Sequence, residues 1–153
     1  AEGIQDKPAF RKSIRSQRCL VPADGFYEWK TLERGGSKPE RFPWYFSLKG
    51  RPLFAFAGIY DVWRDPSGQE QLTYAIITTR ANKTLEGIHE RMPVILHPED
   101  EAIWLDASVP LEVALQLLEP FPDDEMEAYP VSQAVNSNRT EGADLITPLP
   151  QAS

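Results

Sequence analysis

The sequence predicts an α+β fold that is rich in strands, arranged as a mixed β sheet or an open barrel with peripheral helices. Short strand patterns separated by turn residues recur along most of the chain. Helical periodicity is confined to the beginning of the chain and to the region after residue 97. Strands and helices therefore do not alternate regularly, as they would in a doubly wound fold. The 153 residues suffice for one core, and we expect residues 1–153 to form a single domain.

The first half of the chain predicts one helix followed by five strands. Asp6 as a cap and Pro8 in the first turn indicate a helix that continues to about Gln17. The tight turn at Lys49-Gly50 predicts a hairpin between the strands on either side of it. The predicted strands, with a polar loop over 33–41 and a turn over 65–68, are Cys19–Pro22, Phe26–Lys30, Trp44–Leu48, Leu53–Tyr60 and Leu72–Thr79.

The second half predicts two helices between two short strands. Met92-Pro93 opens a strand over Val94–Leu96, and acidic residues after His97 favour a helix start, because the helix dipole stabilises negative charge there. Apolar spacing indicates a further helix over Leu111–Leu118. A last strand is expected over Tyr129–Val135.

The composition is that of an ordinary globular protein, with 41% hydrophobic and 25% charged residues. No apolar run approaches the roughly 20 residues that span a bilayer, and residues 1–18 show no signal-peptide pattern. Cytoplasmic residence is therefore expected. Cys19 is the only cysteine beside two histidines, so we expect no internal disulfide, no metal site and no cofactor.

Charge is distributed unevenly along the chain, although its net value is −7. Residues 1–96 hold 15 of the 16 Lys and Arg against 11 Asp and Glu, whereas residues 97–153 hold one Arg against 12 acids. Such asymmetry indicates a basic binding face opposite an acidic one. It is equally compatible with chance and a solubilising C-terminal face.

Glu28 is a carboxylate set among aromatic residues in the predicted strand GFYEW (Gly25–Trp29). Acidic residues are depleted in strands, and a buried carboxylate is rare without a partner or a function. In an extended strand Glu28 shares a face with Phe26, whose apolar side chain would raise the pKa of the carboxyl by desolvation. That would suit acid/base chemistry. A salt bridge, or a charge that protects an edge strand, is the simpler structural alternative.

His89 and Arg91 precede an apolar strand in IHERMPVIL (Ile88–Leu96). An imidazole can protonate an oxygen atom, and a guanidinium can bind a phosphate through two hydrogen bonds. For this motif alone, a core histidine beside a surface arginine is the simpler structural alternative. The Thr78 and Thr79 hydroxyls close a predicted strand, where they could contact a phosphate or cap the next turn.

Taken together, these segments resemble the SOS response-associated peptidase family, also called SRAP domains. The resemblance covers nearly the whole chain. It rests on the blocks RCLVPADGFYEWK (Arg18–Lys30), FAGIYDVW (Phe56–Trp63), TTRAN (Thr78–Asn82), HERMPVIL (His89–Leu96) and VSQAVNS (Val131–Ser137).

The resemblance implies recognition of abasic sites in single-stranded DNA, with covalent DNA–protein crosslinking, in the SOS response to DNA damage. In the family an N-terminal cysteine supplies an amine, which forms a Schiff base with the sugar aldehyde, and a thiolate, which closes a thiazolidine ring. Glu28 then matches the glutamate that moves protons during sugar ring opening and crosslink reversal. His89 matches the histidine that assists at the sugar oxygen and the phosphate leaving group. Arg91 matches a contact to DNA phosphate, with Thr78 at the same rim.

The beginning of the chain departs from the family pattern. Members start with Met-Cys-Gly-Arg or similar, and Ala1-Glu2-Gly3 resembles the end of a later Asn-Ala-Arg-Ala-Glu-type motif. We therefore expect the chain to lack the N-terminal catalytic segment. Cys19 cannot replace the missing cysteine, because its nitrogen lies inside a peptide bond. By itself the chain is expected to form no crosslink.

Two other functions fit the same residues. One is a peptidase that processes its own N-terminus or other proteins, with Glu28 and His89 as acid and base. Against it, the sequence contains neither a Ser-His-Asp arrangement nor an HExxH metal motif. The other is a non-catalytic fragment that keeps part of a DNA-binding groove.

Overall fold

The computed structural model describes residues 1–33 and 39–150. Three α-helices, α1 (Ser13–Ser16), α2 (Pro98–Leu105) and α3 (Leu111–Gln116), accompany several short 3-10 turns. The strands are β1 (Arg18–Ala23), β2 (Phe26–Leu32), β3 (Glu40–Leu48), β4 (Phe54–Arg64), β5 (Glu70–Ile76), β6 (Thr78–Arg80), β7 (Arg91–Pro93), β8 (Ile95–Leu96) and β9 (Met126–Pro130). The predicted α+β fold is confirmed. The loop predicted over 33–41 falls largely on residues 34–38, outside the described residues.

The strands form several antiparallel sheets rather than one mixed sheet. The first sheet has the order β1-β4-β5, with β8 also paired to β4; the second has the order β2-β3-β9, and β6 pairs with β7 in a third. All the pairings among the described strands are antiparallel. The sheets do not close into a barrel.

The hairpin predicted around Lys49-Gly50 does not form. The turn is present, with Gly50 at φ 68° and a single bridge between Leu48 and Arg51, but β3 then pairs with β2 and β9 while β4 pairs with β1, β5 and β8. Phe46 of β3 and Phe56 of β4 belong instead to the same hydrophobic core cluster. The burial of both strands, and not the local turn signal, therefore determined which strands pair.

Other predicted elements are divided or shifted. The strand expected over Leu72–Thr79 forms two strands of different sheets, β5 and β6. The helix expected from Asp6 to Gln17 is regular only over Ser13–Ser16, preceded by a 3-10 turn at Ile4–Asp6, because so short a segment depends on tertiary packing. Its packing residue Ile14 is fully buried. The last strand ends at Pro130, five residues before the predicted end. Proline has no N–H for a ladder, and a 3-10 turn follows it.

The core has two parts. The first lies between the helices and the first sheet and includes Ile14, Val94 and Trp104. The second lies between the sheets and contains Phe46, Leu85 and several other apolar side chains, namely Leu48, Phe54, Phe56, Met92, Ile95, Phe121 and Met126. This second part supports both halves of the candidate site. In the part of the chain that the structure describes, no helix is long and apolar enough to cross a bilayer.

Candidate active site

Glu28 lies in the middle of β2, opposite Trp44 of β3. Phe26, two residues earlier on the same face, stacks on Phe46 at 5.2 Å and meets Phe56 edge-on at 5.7 Å. Glu28 is half-buried beside this aromatic group. Burial raises the pKa of the Glu28 carboxyl above its usual value, while the charge of His89 and the Trp29 backbone oppose the shift. The direction is the one that the strand pattern predicted.

A close backbone approach fixes the start of β2. A Cβ atom on Gly25 would lie 2.1 Å from the Tyr45 hydroxyl and 2.7 Å from the Phe46 carbonyl oxygen, so only glycine fits. The Tyr45 hydroxyl donates to the Asp24 carbonyl at 3.3 Å. Burial raises the pKa of Tyr45 to about 12, which keeps this hydroxyl protonated near neutral pH. The turn before Glu28 is thereby locked to β3.

His89 lies in the loop between β6 and β7, with an exposed ring. His89 precedes the strand, since β7 begins at Arg91. The two residues are joined locally instead. The His89 Nδ1 lies 3.1 Å from the Arg91 backbone nitrogen and 3.0 Å from the Arg91 carbonyl oxygen. These contacts hold Nδ1 against the backbone and leave Nε2 on the other side of the ring.

Arg91 connects β7 to β6 through its side chain. Its guanidinium donates to the Thr78 carbonyl oxygen at 2.7 Å and lies 3.4 Å from the Thr78 hydroxyl. Thr78 is exposed at the first position of β6. A cation and a hydroxyl therefore share one surface beside His89.

Glu2 also contacts Arg91, which the sequence did not predict. Its carboxylate forms a 2.7 Å ion pair with the guanidinium. Hydrogen bonding to its own backbone and to Arg91 lowers the pKa of Glu2 to about 2. The pair lines a cavity of about 410 Å³, whose wall also contains Lys7, Phe10 and residues 75–78. The contact spans 89 positions of sequence, so no local motif could have shown it.

Three of the four predicted site residues are joined by contacts, since His89 contacts the Arg91 backbone and Arg91 binds Thr78. Glu28 is related to them through the charge of His89, which lowers the pKa of its carboxyl. The group offers a carboxyl that keeps a proton more readily than usual, an accessible imidazole and a cation. Such groups suit proton transfer beside a bound anion.

Cys19 is not part of this group. It lies half-buried in β1, where burial raises the pKa of its thiol, and it lines a separate apolar groove with residues 20–22, Tyr60, Leu72 and Tyr74. A raised pKa disfavours the reactive thiolate. Among residues 1–33 and 39–150 no group of three or more His, Cys, Asp or Glu side chains could hold a metal ion.

Comparison with known families identifies the chain. The family model described as SOS response associated peptidase (SRAP) matches residues 1–138. The chain belongs to this family.

Named SRAP relatives cover nearly all of the chain. It is 46% identical over 147 residues to the abasic site processing protein YoqW of Bacillus subtilis, which covers 95% of the chain and 64% of the relative. It is 39% identical over 155 residues to the abasic site processing protein HMCES of Gallus gallus, which covers 89% of the chain and 45% of the relative.

Solved structures agree with the observed architecture. A crystal structure of a protein from Bacteroides thetaiotaomicron superposes with a TM-score of 0.86 at 34% identity, over 97% of this chain and 63% of that one. A protein from Bordetella bronchiseptica gives a TM-score of 0.74 at 26% identity, over 86% of this chain and 63% of that one. The chain therefore spans less than two thirds of the length of these relatives.

Proposed function

We propose that the chain is part of a protein that recognises abasic sites in single-stranded DNA and, when complete, bonds to them covalently. The observation that carries this proposal is the placement of an accessible histidine, His89, against the backbone of the Arg91 cation, with the half-buried Glu28 carboxyl within range of the His89 charge. Relatives named for abasic site processing support it.

The chemistry of an abasic sugar suits this pair. The sugar is a cyclic hemiacetal, and it exposes its aldehyde only after the ring opens. Opening requires one group to take the proton of the C1 hydroxyl and another to donate a proton to the ring oxygen, so that a C–O bond breaks and a carbonyl forms. Glu28, whose raised pKa makes its carboxylate a stronger base, takes the proton of the C1 hydroxyl, and His89 donates a proton to the ring oxygen.

Arg91 and Thr78 serve as the phosphate contact in this proposal. A guanidinium binds phosphate through two parallel hydrogen bonds, and a hydroxyl adds a third donor. The Arg91 side chain is about one third exposed and is held by the Thr78 carbonyl. A strand of DNA whose phosphate lies there would place the next sugar beside His89.

The covalent step needs a free amine and a thiol on neighbouring carbons, which only an N-terminal cysteine provides. The amine condenses with the aldehyde and releases water, and the thiol then adds across the resulting C=N bond to close the ring. Cys19 has no free amine and its thiol pKa is raised. In this proposal the chain by itself contributes recognition and proton transfer but forms no crosslink.

The test compares the chain with a version fused behind the N-terminal segment of a family member. Each is incubated with single-stranded DNA that carries one abasic site and is then run on a denaturing gel. A covalent band with the fused protein alone, slowed by Glu28→Gln, supports the proposal. Glu33→Gln, an exposed carboxylate just after β2, is the matched control and should leave the rate unchanged. No band with either protein would refute the proposal.

The family description names a peptidase, and the same variants test that activity. Cleavage of an unrelated protein substrate that disappears with His89→Ala would favour a peptidase. Salt-sensitive binding of undamaged single strands, without any covalent band from the fused protein, would favour a non-catalytic DNA-binding fragment.

A further inference from the structure

Glu28 and His89 belong to parts of the fold that share no backbone ladder. Glu28 lies in the β2-β3-β9 sheet, whereas His89 lies in the loop that joins β6 to β7, which form a separate two-stranded sheet. Hydrogen bonds between strands therefore cannot set the distance between the two side chains. Contacts between the His89 loop and the second sheet must set it.

Asn82, at the start of this loop, makes such a contact. It is 9% exposed. Its side-chain nitrogen donates to the Phe121 carbonyl oxygen at 2.7 Å and lies 3.2 Å from the Met126 sulfur. Met126 is the first residue of β9. One amide group thus joins the loop to the segment that enters the second sheet.

The other end of the Asn82 amide organises the loop itself. Its side-chain oxygen accepts from the Leu85 N–H at 3.2 Å, while the Asn82 backbone carbonyl oxygen accepts from the same N–H at 3.1 Å and from the Glu86 N–H at 2.9 Å. Leu85 is fully buried, and its own carbonyl oxygen accepts from the His89 N–H at 3.0 Å. The His89 backbone is therefore two hydrogen bonds away from the Asn82 side chain.

The path to Glu28 runs through the second sheet. Met126 pairs with Leu48 of β3, and four residues earlier on β3 Trp44 lies opposite Glu28 in β2. Thr84 makes a second link to the same segment, since its N–H and hydroxyl contact Asp123 at 3.3 and 3.4 Å. That link is longer and only partly buried, so water can replace it more easily than the Asn82 bond.

We propose that Asn82 is a positioning residue that sets the separation between Glu28 and His89. The inference rests on the proposed function, because only a reaction that uses both side chains needs this distance to be fixed. Asn82 would touch neither DNA nor the reacting atoms. It would act by locking the His89 loop onto the sheet that carries Glu28.

The first test measures the coupling of the two site residues without DNA. Carbon-13 NMR titration gives the pKa of Glu28 with and without His89→Gln. In the otherwise unchanged chain this substitution should raise the Glu28 pKa, since the His89 charge lowers it. In a chain that also carries Asn82→Ser, the rise in the Glu28 pKa caused by His89→Gln should be smaller by about half or more. An undiminished effect would overturn the proposal.

The Asn82→Ser substitution separates the two hydrogen-bonding roles of the Asn82 side chain, to the Leu85 N–H and to the Phe121 carbonyl. Its hydroxyl can still accept from the Leu85 N–H, as short polar side chains do in such turns, but it is too short to reach the Phe121 carbonyl. Asn82→Ala, which loses both bonds, should reduce the coupling at least as much. Asn138→Ala changes an exposed asparagine in the C-terminal region, and it should leave the coupling unchanged. If the Asn82→Ala variant does not fold, the Asn82→Ser variant still tests the proposal.

A second readout distinguishes positioning from general destabilisation. In the fused protein, Asn82→Ser should slow the crosslinking step while the Kd for abasic DNA stays within about twofold of its original value. An equal loss of affinity and rate would indicate a structural role alone and overturn the positioning role. A fused protein that never crosslinks would refute the proposed function, whereas the NMR titration would still test the Asn82 link.

Discussion

The Arg91 guanidinium is bound to the Thr78 carbonyl oxygen at 2.7 Å while it also pairs with the Glu2 carboxylate. The arginine is thus held in place by the neighbouring strand and carries a carboxylate where a phosphate oxygen could bind. A DNA phosphate would compete with Glu2 for the same hydrogen bonds.

Arg91→Ala should therefore weaken the binding of single-stranded DNA of any sequence and reduce its dependence on salt. Loss of one phosphate contact lowers the slope of log K against log salt by about 0.7 for single strands. Fluorescence anisotropy at several salt concentrations measures the slope. Arg64→Ala is the control, since Arg64 pairs with the exposed Glu70 on the β4–β5 hairpin. Equal changes for the two variants would contradict the prediction.

Glu28 should make the fold less stable as the pH rises. Its pKa is raised by burial above the ordinary value of 4.5, so the folded state prefers the protonated form. The stability that this proton provides is complete below about pH 4.5 and is lost as the pH rises through the folded-state pKa. Glu28→Gln should therefore raise the urea midpoint at pH 7 and have little effect near pH 4. An increase in the urea midpoint that does not depend on pH, or one that Glu33→Gln also produces, would contradict this prediction.

The strand pattern predicted the environment of Glu28 because that environment is local. Alternation along β2 places Phe26 and Glu28 on one face, and the burial follows from the aromatic neighbour. The same reasoning could not find Glu2 or Asn82. Their contacts reach Arg91 and Phe121 across 89 and 39 positions, and they depend on which sheets meet in space.

The predicted pairing of β3 with β4 was wrong for a related reason. The turn at Lys49-Gly50 predicted a hairpin, yet β3 and β4 enter different sheets, in which β3 pairs with β2 and the distant β9 and β4 pairs with β1, β5 and β8. The turn over 65–68 does join two strands that pair, β4 and β5, and β5 pairs with no other described strand. A turn signal in the sequence therefore indicates where the chain reverses but not which strands pair.

Gly25→Ala should destabilise the protein by about 1–3 kcal/mol, the usual cost of overpacking. The new Cβ would meet the Tyr45 ring and hydroxyl at 2.1–2.2 Å and the Phe46 backbone at 2.7 Å, so β2 or β3 must move. Urea unfolding measures the loss. Gly87→Ala is the matched control, because nothing lies within 4 Å of its Cβ position. A destabilisation of both variants to the same extent would indicate a backbone effect unrelated to Tyr45.

The outer face of β5 should make the chain self-associate. Leu72 and Tyr74 are 72% and 66% exposed on one face of the strand, and β5 lies at the end of its sheet order, where among the described strands it pairs with β4 alone. Exposed apolar strands at a sheet edge promote association. Leu72→Lys should lower the mean mass measured by sedimentation at high concentration while it leaves the unfolding midpoint nearly unchanged. Gln71→Lys adds the same charge on the opposite face of β5 and should have a smaller effect. Equal effects would show that net charge, rather than the apolar face, controls association.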